Sequence, residues 1–339
     1  MPSYELKEPA RRALSALVAR TGVTALGRVV APKRGAVILM GHRVGPDVLG
    51  YLPGLRPEWF EAQVEYLCRR YEIISLSRLV DLLERGEQVP DNSVVLTFDD
   101  GFRDNLEIVA PVLARHGVPG TVFLTTGCAS TGELPWSQRL GYLFEATRVS
   151  ELKHESLGAE PVELSDNRGR RRAYRQCKED LKRRGRLERE RLLDGLSARL
   201  EVVPPRDRML TWDGVRELVS SGMEVGAHTV SHPLLANIPA DEARCEMERS
   251  LDDLRRELGV SRPSFAFPGG SRNPGLVSLA RQLGFRSVFQ SRRAVRVNQL
   301  GVTDPFSLSR IGLPNGPVHV LEAELDGPFH WVRGLYRRD

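Results

Sequence analysis

The chain has 339 residues, of which 41% are hydrophobic and 27% charged, and its net charge is +5 at pH 7. These values fit a globular protein with enough chain for one large domain or two modest ones. They exclude a disordered or fibrous protein, and no apolar run reaches the ~18 residues of a membrane-spanning helix. Cys68, Cys128, Cys177 and Cys245 lie far apart with no CxxC pair. Neither a sulfur metal site nor a disulfide scaffold is therefore expected, and free thiols suit a reducing compartment.

Residues 1–34 read as an N-terminal arm. Within it, residues 13–31 are mildly apolar but carry Arg20 and Arg28, and they lack the compact apolar stretch of a secretory signal. The segment has two readings: an amphipathic helix in peripheral contact with a membrane, or one packed on the protein's own body. The cytoplasm is the expected compartment, with membrane association following from the first reading.

Beyond the arm, AVILM (36–40) is a short continuous apolar run, the pattern of a strand buried on both faces. Pro57 opens a helix whose apolar positions Trp59, Phe60, Val64, Leu67 and Cys68 keep helical spacing. A second helix over 76–85 ends at Gly86. VVLTF (94–98) predicts the next strand, followed by a helix over 104–116 capped by Gly117, and TVFLTT (121–126) a third strand. Residues 137–208 break the alternation: they are charged and strand-poor, with 170–200 reading as helix, and they predict a helical insertion. The alternation resumes with a helix N-capped by Thr211, strand 223–227, helix 240–258, strand 264–267, helix 274–283 and strand 286–289. Strands alternating with helices predict an α/β protein with a parallel sheet or barrel.

Arg168 to Arg191 holds twelve Lys/Arg against four Asp/Glu. Such a cluster serves either as a solvated helix face or as a contact for nucleic acid, anionic lipid or a phosphate-bearing substrate.

Chemistry concentrates at two strand ends. Asp99 and Asp100 follow VVLTF, where parallel α/β folds build their sites, and Gly101 permits a tight turn after them. Adjacent carboxylates repel unless a cation or a shared proton offsets the repulsion. His228 and His232 follow strand 223–227 as HxxxH, a spacing that lets two imidazoles meet one ion from a single helical turn. Either signal alone has a structural reading. Together, two His and one carboxylate at strand ends of the same alternating sheet can converge as a hydrolytic metal set with open positions for water and substrate.

Three segments carry a resemblance. TFDDG (97–101), HTVSH (228–232) and FAFPGG (265–270) resemble, in order, the three motifs of the polysaccharide deacetylases, also called NodB-homology or carbohydrate esterase family 4 enzymes. The likeness spans roughly residues 35–315. It implies a distorted (β/α)7-type barrel with the helical insertion, all within one domain at 35–339. It implies that Asp100, His228 and His232 bind a divalent metal, Zn²⁺ by default with Co²⁺ or Ni²⁺ as alternatives. Asp99 is then the general base for a metal-activated water, and the oxyanion leans on the metal and a backbone N–H in Pro268-Gly269-Gly270.

The acid that protonates the leaving amine departs from the family's common pattern. Leu308-Ser309-Arg310-Ile311 stands where most members have Leu-x-His. His42, in Met40-Gly41-His42-Arg43-Val44, resembles the early Tyr-His-x-Val segment of the circularly permuted branch, which includes poly-N-acetylglucosamine deacetylases. His42 is the candidate acid, against the reading of a structural turn residue, and His319 in a Pro-flanked loop is the alternative. Arg310 either pairs with Asp99 or lies at the surface. Gly41 and Gly269 replace aromatic residues, which implies a wider pocket or weakened activity. Trp136 and Trp212 either stack on sugar or pack in the core.

The implied function is hydrolysis of an N-acetyl group from an N-acetylhexosamine in a polysaccharide or lipid-linked precursor, with no nucleic-acid partner. The alternatives are a non-catalytic carbohydrate-binding relative and a deacetylase of a non-sugar amide.

Overall fold

The apolar runs pair side by side as parallel strands. In chain order these are β1 (Ala36–Gly41), β2 (Ser93–Phe98), β3 (Thr121–Leu124), β4 (Glu224–Ala227), β5 (Phe289–Ser291) and β6 (Leu308–Gly312). They lie in the order β5-β6-β1-β2-β3-β4, every neighbour parallel. Phe265 closes the ring, bridging Ala227 on one side and Val288 on the other, again in parallel. The result is a seven-staved (β/α) barrel whose seventh stave is reduced to single bridges. The computed structural model describes residues 13, 15–21, 24, 34–49, 51–291, 297–301 and 303–327.

Strand alternation sorts side chains to the two faces of the wall. Ala36, Ile38, Val95, Phe123, Ala266, Phe289 and Leu308 form one buried cluster with Leu76, Leu79, Val80 and Leu83 of the helix Leu76–Arg85. That helix plugs the barrel's N-terminal end, where Ser77 donates from its N–H to Glu224 at the start of β4. The intervening residues Val37, Leu39, Val94, Leu96 and Val122 belong to a second cluster shared with the outer helices. Since both faces are covered, β1, β2 and β3 read as largely apolar runs. Inward positions turn polar toward the strands' C-terminal ends: Val95, Thr97, Asp99 in one stave and Leu308, Arg310 in another. The open mouth therefore gathers the chemistry.

Several elements depart from the sequence expectation. Residues 121–126 split into β3 and a helix Thr126–Thr131. The helix over 104–116 opens with one π-helical turn, Asn105–Val109, before Ala110–Arg115. Residues 264–267 make isolated bridges rather than a strand, because the chain turns away at Pro268. Strand β6 and the helix Val318–Asp326 were not expected as elements, and His319 lies on that helix rather than in a loop.

The insertion contains the helices Trp136–Ala146, Asn167–Leu181 and Arg186–Leu200, so 170–200 is two helices broken near Gly185. It has its own core of Leu140, Leu143, Phe144, Ala173, Cys177, Leu181, Leu192, Leu193, Leu196 and Leu200. In the basic cluster Arg168, Arg171, Arg172 and Arg175 are exposed, whereas Arg189 is buried with its guanidinium over the Trp136 ring. The N-terminal arm lies largely outside the described residues, and so does most of the 13–31 segment. Among the described residues no helix is long and apolar enough to cross a membrane.

Gly226, two residues before His228, faces the barrel interior. A Cβ there would collide with the Phe123 ring and stand 2.9 Å from the Ser264 carbonyl oxygen. Gly226→Ala is expected to destabilise the fold by about 1–3 kcal/mol through overpacking, measured as a lowered urea midpoint at unchanged slope.

Candidate active site

The site begins with strand β2. Asp99 donates its N–H to the Gly41 carbonyl at 3.0 Å, which extends the β1–β2 pairing one step past the strand. Its carboxylate, 3% exposed, meets the Arg310 guanidinium in a two-pronged pair: Nη1 to Oδ1 at 2.7 Å and Nη2 to Oδ2 at 2.5 Å. Arg310 comes from β6, and its guanidinium lies over the Phe123 and Phe289 rings at 5.5 and 5.2 Å. Burial alone would raise the Asp99 pKa. The positive charges of Arg310, His228 and His42 outweigh it and hold the carboxyl below its ordinary value.

Asp100 turns the other way. Its φ of +76° is left-handed, and Gly101 follows at +81°. The sharp reversal aims neighbouring carboxylates at different partners. Asp100 Oδ1 stands 3.1 Å from His232 Nε2 and 3.5 Å from His228 Nε2. Desolvation opposes ionisation of this carboxyl, yet the two histidines hold it well below the usual carboxylate range. Asp100 Oδ1 is nonetheless buried with no hydrogen bond of proper geometry.

His228 and His232 do not occupy a helical turn. They flank a loop after β4 in which Thr229 (φ +66°) and His232 (φ +58°) are both left-handed. A helix would carry the second imidazole away along its axis. This turn instead brings the ring centroids within 5.0 Å. Left-handed non-glycine residues cost about 1–3 kcal/mol each and persist where surrounding bonds over-determine them. Here the Thr229 hydroxyl accepts from the His232 N–H at 3.0 Å and donates to the His228 carbonyl at 2.5 Å.

The donor set fits a cation. His228 Nδ1 lies 2.7 Å from the Ala266 carbonyl oxygen, which only accepts, so Nδ1 carries the proton and Nε2 presents its lone pair inward. One ligand atom from each of Asp100, His228 and His232 falls within 4.8 Å of the others. An orphaned carboxylate oxygen between two imidazole nitrogens is what an ion would satisfy. The negative surroundings of Asp99 and Asp100 outweigh desolvation and raise the His228 pKa.

His42 follows β1, is half-buried, and is among the charges that lower both aspartates. Its carbonyl accepts from Asn105 Nδ2 at 2.9 Å, and the same nitrogen reaches Asp104 Oδ1 at 3.1 Å. Arg43 Nε pairs with Asp104 at 3.1 Å and its Nη2 with Asp47 at 2.9 Å. Burial nevertheless pushes the Asp104 carboxyl up to about 7. The buried network fixes the backbone that carries His42.

In the Pro268-Gly269-Gly270 turn, the Gly270 N–H is donated to the Phe267 carbonyl at 2.9 Å. Gly269 has φ +58°, and a Cβ there would stand 2.8 Å from Leu234 Cδ2. The end of the Leu234 side chain thus lies against the position an aromatic side chain would start from.

Two contributors, Gln138 and Glu246, escaped the motif reading, and Trp136 takes a different role from a sugar-stacking face. Gln138 Nε2 lies 3.5 Å from Asp100 Oδ2. Trp136, 4% exposed, donates its indole N–H to the His232 carbonyl at 2.8 Å, so it packs in the core and holds a site residue rather than stacking on sugar. Glu246 accepts bonds from the turn between the two histidines. Its signal was present: a carboxylate within the apolar stripe Ala243, Met247, Leu251, Leu254 of the helix Ala240–Leu258. Trp212 donates to Ser130 Oγ at 3.0 Å and packs half-buried against the outer core.

A parallel barrel with an Asp–His–His cluster and an Arg-paired aspartate at its C-terminal mouth defines the NodB-homology class of fold. The sequence model of the polysaccharide deacetylase family matches residues 86–288, more than half of the chain, and the chain belongs to that family. Among curated proteins it is similar to YxkH of Bacillus subtilis (strain 168), named a putative polysaccharide deacetylase, with 26% identity over 125 residues. That match covers 37% of this chain and 43% of YxkH, less than half the relative's length. Among solved structures it is similar to the Streptococcus pyogenes deacetylase PplD in complex with acetate, at 19% identity and a TM-score of 0.56, covering 86% of this chain and 97% of PplD. IcaB from Ammonifex degensii gives 20% identity and a TM-score of 0.56, over 87% and 97% of the two chains. A de-N-acetylase from Aggregatibacter actinomycetemcomitans gives 15% and 0.52, over 86% and 99%. At these identities the likeness establishes the fold.

The Asp99–Arg310 pair generates a stability prediction. Removing one partner of a buried ion pair leaves the other uncompensated, so Arg310→Met is expected to cost about 3–5 kcal/mol in chemical denaturation of the metal-free protein. Because the folded pKa of Asp99 is depressed, the pair contributes stability above the unfolded carboxyl pKa, near pH ~4, and loses it as pH falls further. Arg310→Met is expected to flatten that acid limb.

Proposed function

We propose that the protein is a metal-dependent deacetylase that hydrolyses the N-acetyl group of an N-acetylhexosamine in a polysaccharide or lipid-linked glycan precursor. The observation that carries this reading is the division of labour between adjacent carboxylates. Asp100 faces two imidazole Nε2 atoms, while Asp99 is anchored by Arg310 and kept out of that cluster's first contacts, with Oδ2 4.0 Å from His228 Nε2. One group of the pair suits ligation and the other proton transfer. The named deacetylase relatives, one solved with acetate, support the same reaction class.

Asp100 Oδ1, His228 Nε2 and His232 Nε2 would hold the ion, with Zn²⁺ the best match to two imidazoles and a carboxylate, and Co²⁺ or Ni²⁺ the alternatives. Such an ion, when bound, supplies Lewis acidity to the acetyl carbonyl and acidifies water. Asp99 takes the proton from the attacking water at its carboxylate, which Arg310 holds ionised and in fixed orientation. Its low proton affinity makes it a transient acceptor, ready to pass the proton on. The Gly269 N–H is the donor for the oxyanion, since the Gly270 N–H is engaged by Phe267. His42, on the neighbouring stave, gives a proton to the departing amine.

Acetate release from N-acetylglucosamine oligomers by the zinc-loaded protein tests this function. Chelation is expected to abolish release and added Zn²⁺ to restore it. Asp99→Asn and His42→Gln are each expected to lower the rate about 10²–10⁴-fold, the usual contribution of a general base or acid. No release from wild-type protein, or full activity in Asp99→Asn, excludes the reading.

A further inference from the structure

We infer that Glu246 is a positioning residue that shapes the turn between the two histidines, so that the site's affinity for its ion depends on a carboxylate that never touches it. This rests on the metal-site reading above. Glu246 is 4% exposed on the helix Ala240–Leu258, whose neighbouring buried positions are Ala243, Met247, Ser250 and Leu251. Its Oε2 accepts the N–H groups of both Val230 (2.9 Å) and Ser231 (2.8 Å), and its Oε1 accepts the Ser231 hydroxyl at 2.6 Å. All three donors lie between His228 and His232.

Two successive N–H groups converging on one oxygen form a small anion-binding concavity, and the carboxylate fills it from within the protein. The bonds act where the backbone needs support, between the left-handed residues Thr229 and His232. Other contacts hold the rim of the turn: the Thr126 and Gly127 N–H groups donate to the Thr229 and Val230 carbonyls, both at 3.0 Å, and Trp136 holds the His232 carbonyl. Those contacts bind carbonyl oxygens. Glu246 binds the N–H groups of Val230 and Ser231, which point the opposite way. Without it the two amides lose their partner beside a cavity of about 620 Å³ lined by Val230, Glu246, Glu242, Cys245 and Leu187, and the turn can relax toward that space. Relaxation separates the two Nε2 atoms.

Replacement of groups that orient metal ligands typically weakens metal binding about 10–100-fold, and that range is expected for zinc binding by Glu246→Ala in competition with a chromogenic chelator. Glu246→Gln retains an oxygen for both N–H groups and an amide that can donate to Ser231 Oγ, so it is expected to stay close to wild type. Glu246→Asp keeps the charge but withdraws the carboxylate by one methylene, and it is expected to bind zinc more weakly than the Gln variant. A charge effect predicts the reverse order, and that order, or wild-type affinity in a folded Glu246→Ala, overturns the proposal. Hydrogen exchange at Val230 and Ser231 in metal-free protein gives an independent readout. Exchange is expected to accelerate in Glu246→Asp and stay protected in Glu246→Gln; unchanged protection in the Asp variant also overturns the inference. Wild-type protein that binds no zinc refutes the metal site, while the exchange result still decides the role of Glu246.

Discussion

Two consecutive carboxylates buried at the end of one strand are the constraint around which the barrel mouth is organised. Each would be costly in a setting with so little water, and both together more so. The chain resolves this by giving them separate partners. Arg310 from β6 meets Asp99 with both prongs of its guanidinium, and the left-handed turn at Asp100 sends the second carboxylate toward the histidines. Asp99 is thereby satisfied within the protein. Asp100 keeps an oxygen with no hydrogen-bond partner, and that unsatisfied atom gives the site its demand for an ion.

Much of this was legible in the sequence because the relevant patterns are local. Strands β1, β2 and β3 appear as largely apolar runs, Asp99-Asp100 sits at the end of one of them, and His228/His232 follow the more mixed β4. The barrel's closure was not legible as geometry, since the seventh stave at Phe265 makes only single bridges. The HxxxH spacing invited a helical turn because position alone does not reveal φ; the left-handed Thr229 and His232 are imposed by tertiary bonds. Arg310 could be named but not placed, because its partner lies 211 residues away in the chain. Gln138 carries no local signal at all, and Trp136 could be named but not placed, for both reach the site from the insertion.

The insertion is therefore more than a decoration on the barrel. Its first helix supplies Trp136 to the His232 carbonyl and Gln138 to the neighbourhood of Asp100, and the same Trp136 ring lies under the buried Arg189 of the insertion's last helix. Packing in the insertion core and alignment of the histidine turn are linked through one indole.

The thin seam at Phe265 has a consequence for the order in which the molecule would come apart. The next residue, Ala266, supplies the carbonyl that orients the His228 ring, and its N–H is donated to Ala227 at the end of β4. The weakest joint in the wall thus abuts the imidazole it orients. An ion gripped by Asp100, His228 and His232 would tie β4 to β2 across β3, on the side of β4 away from that joint. Loading the site would then steady the stave that borders the sparsest stretch of the backbone ladder, making the cation part of the masonry as well as part of the chemistry.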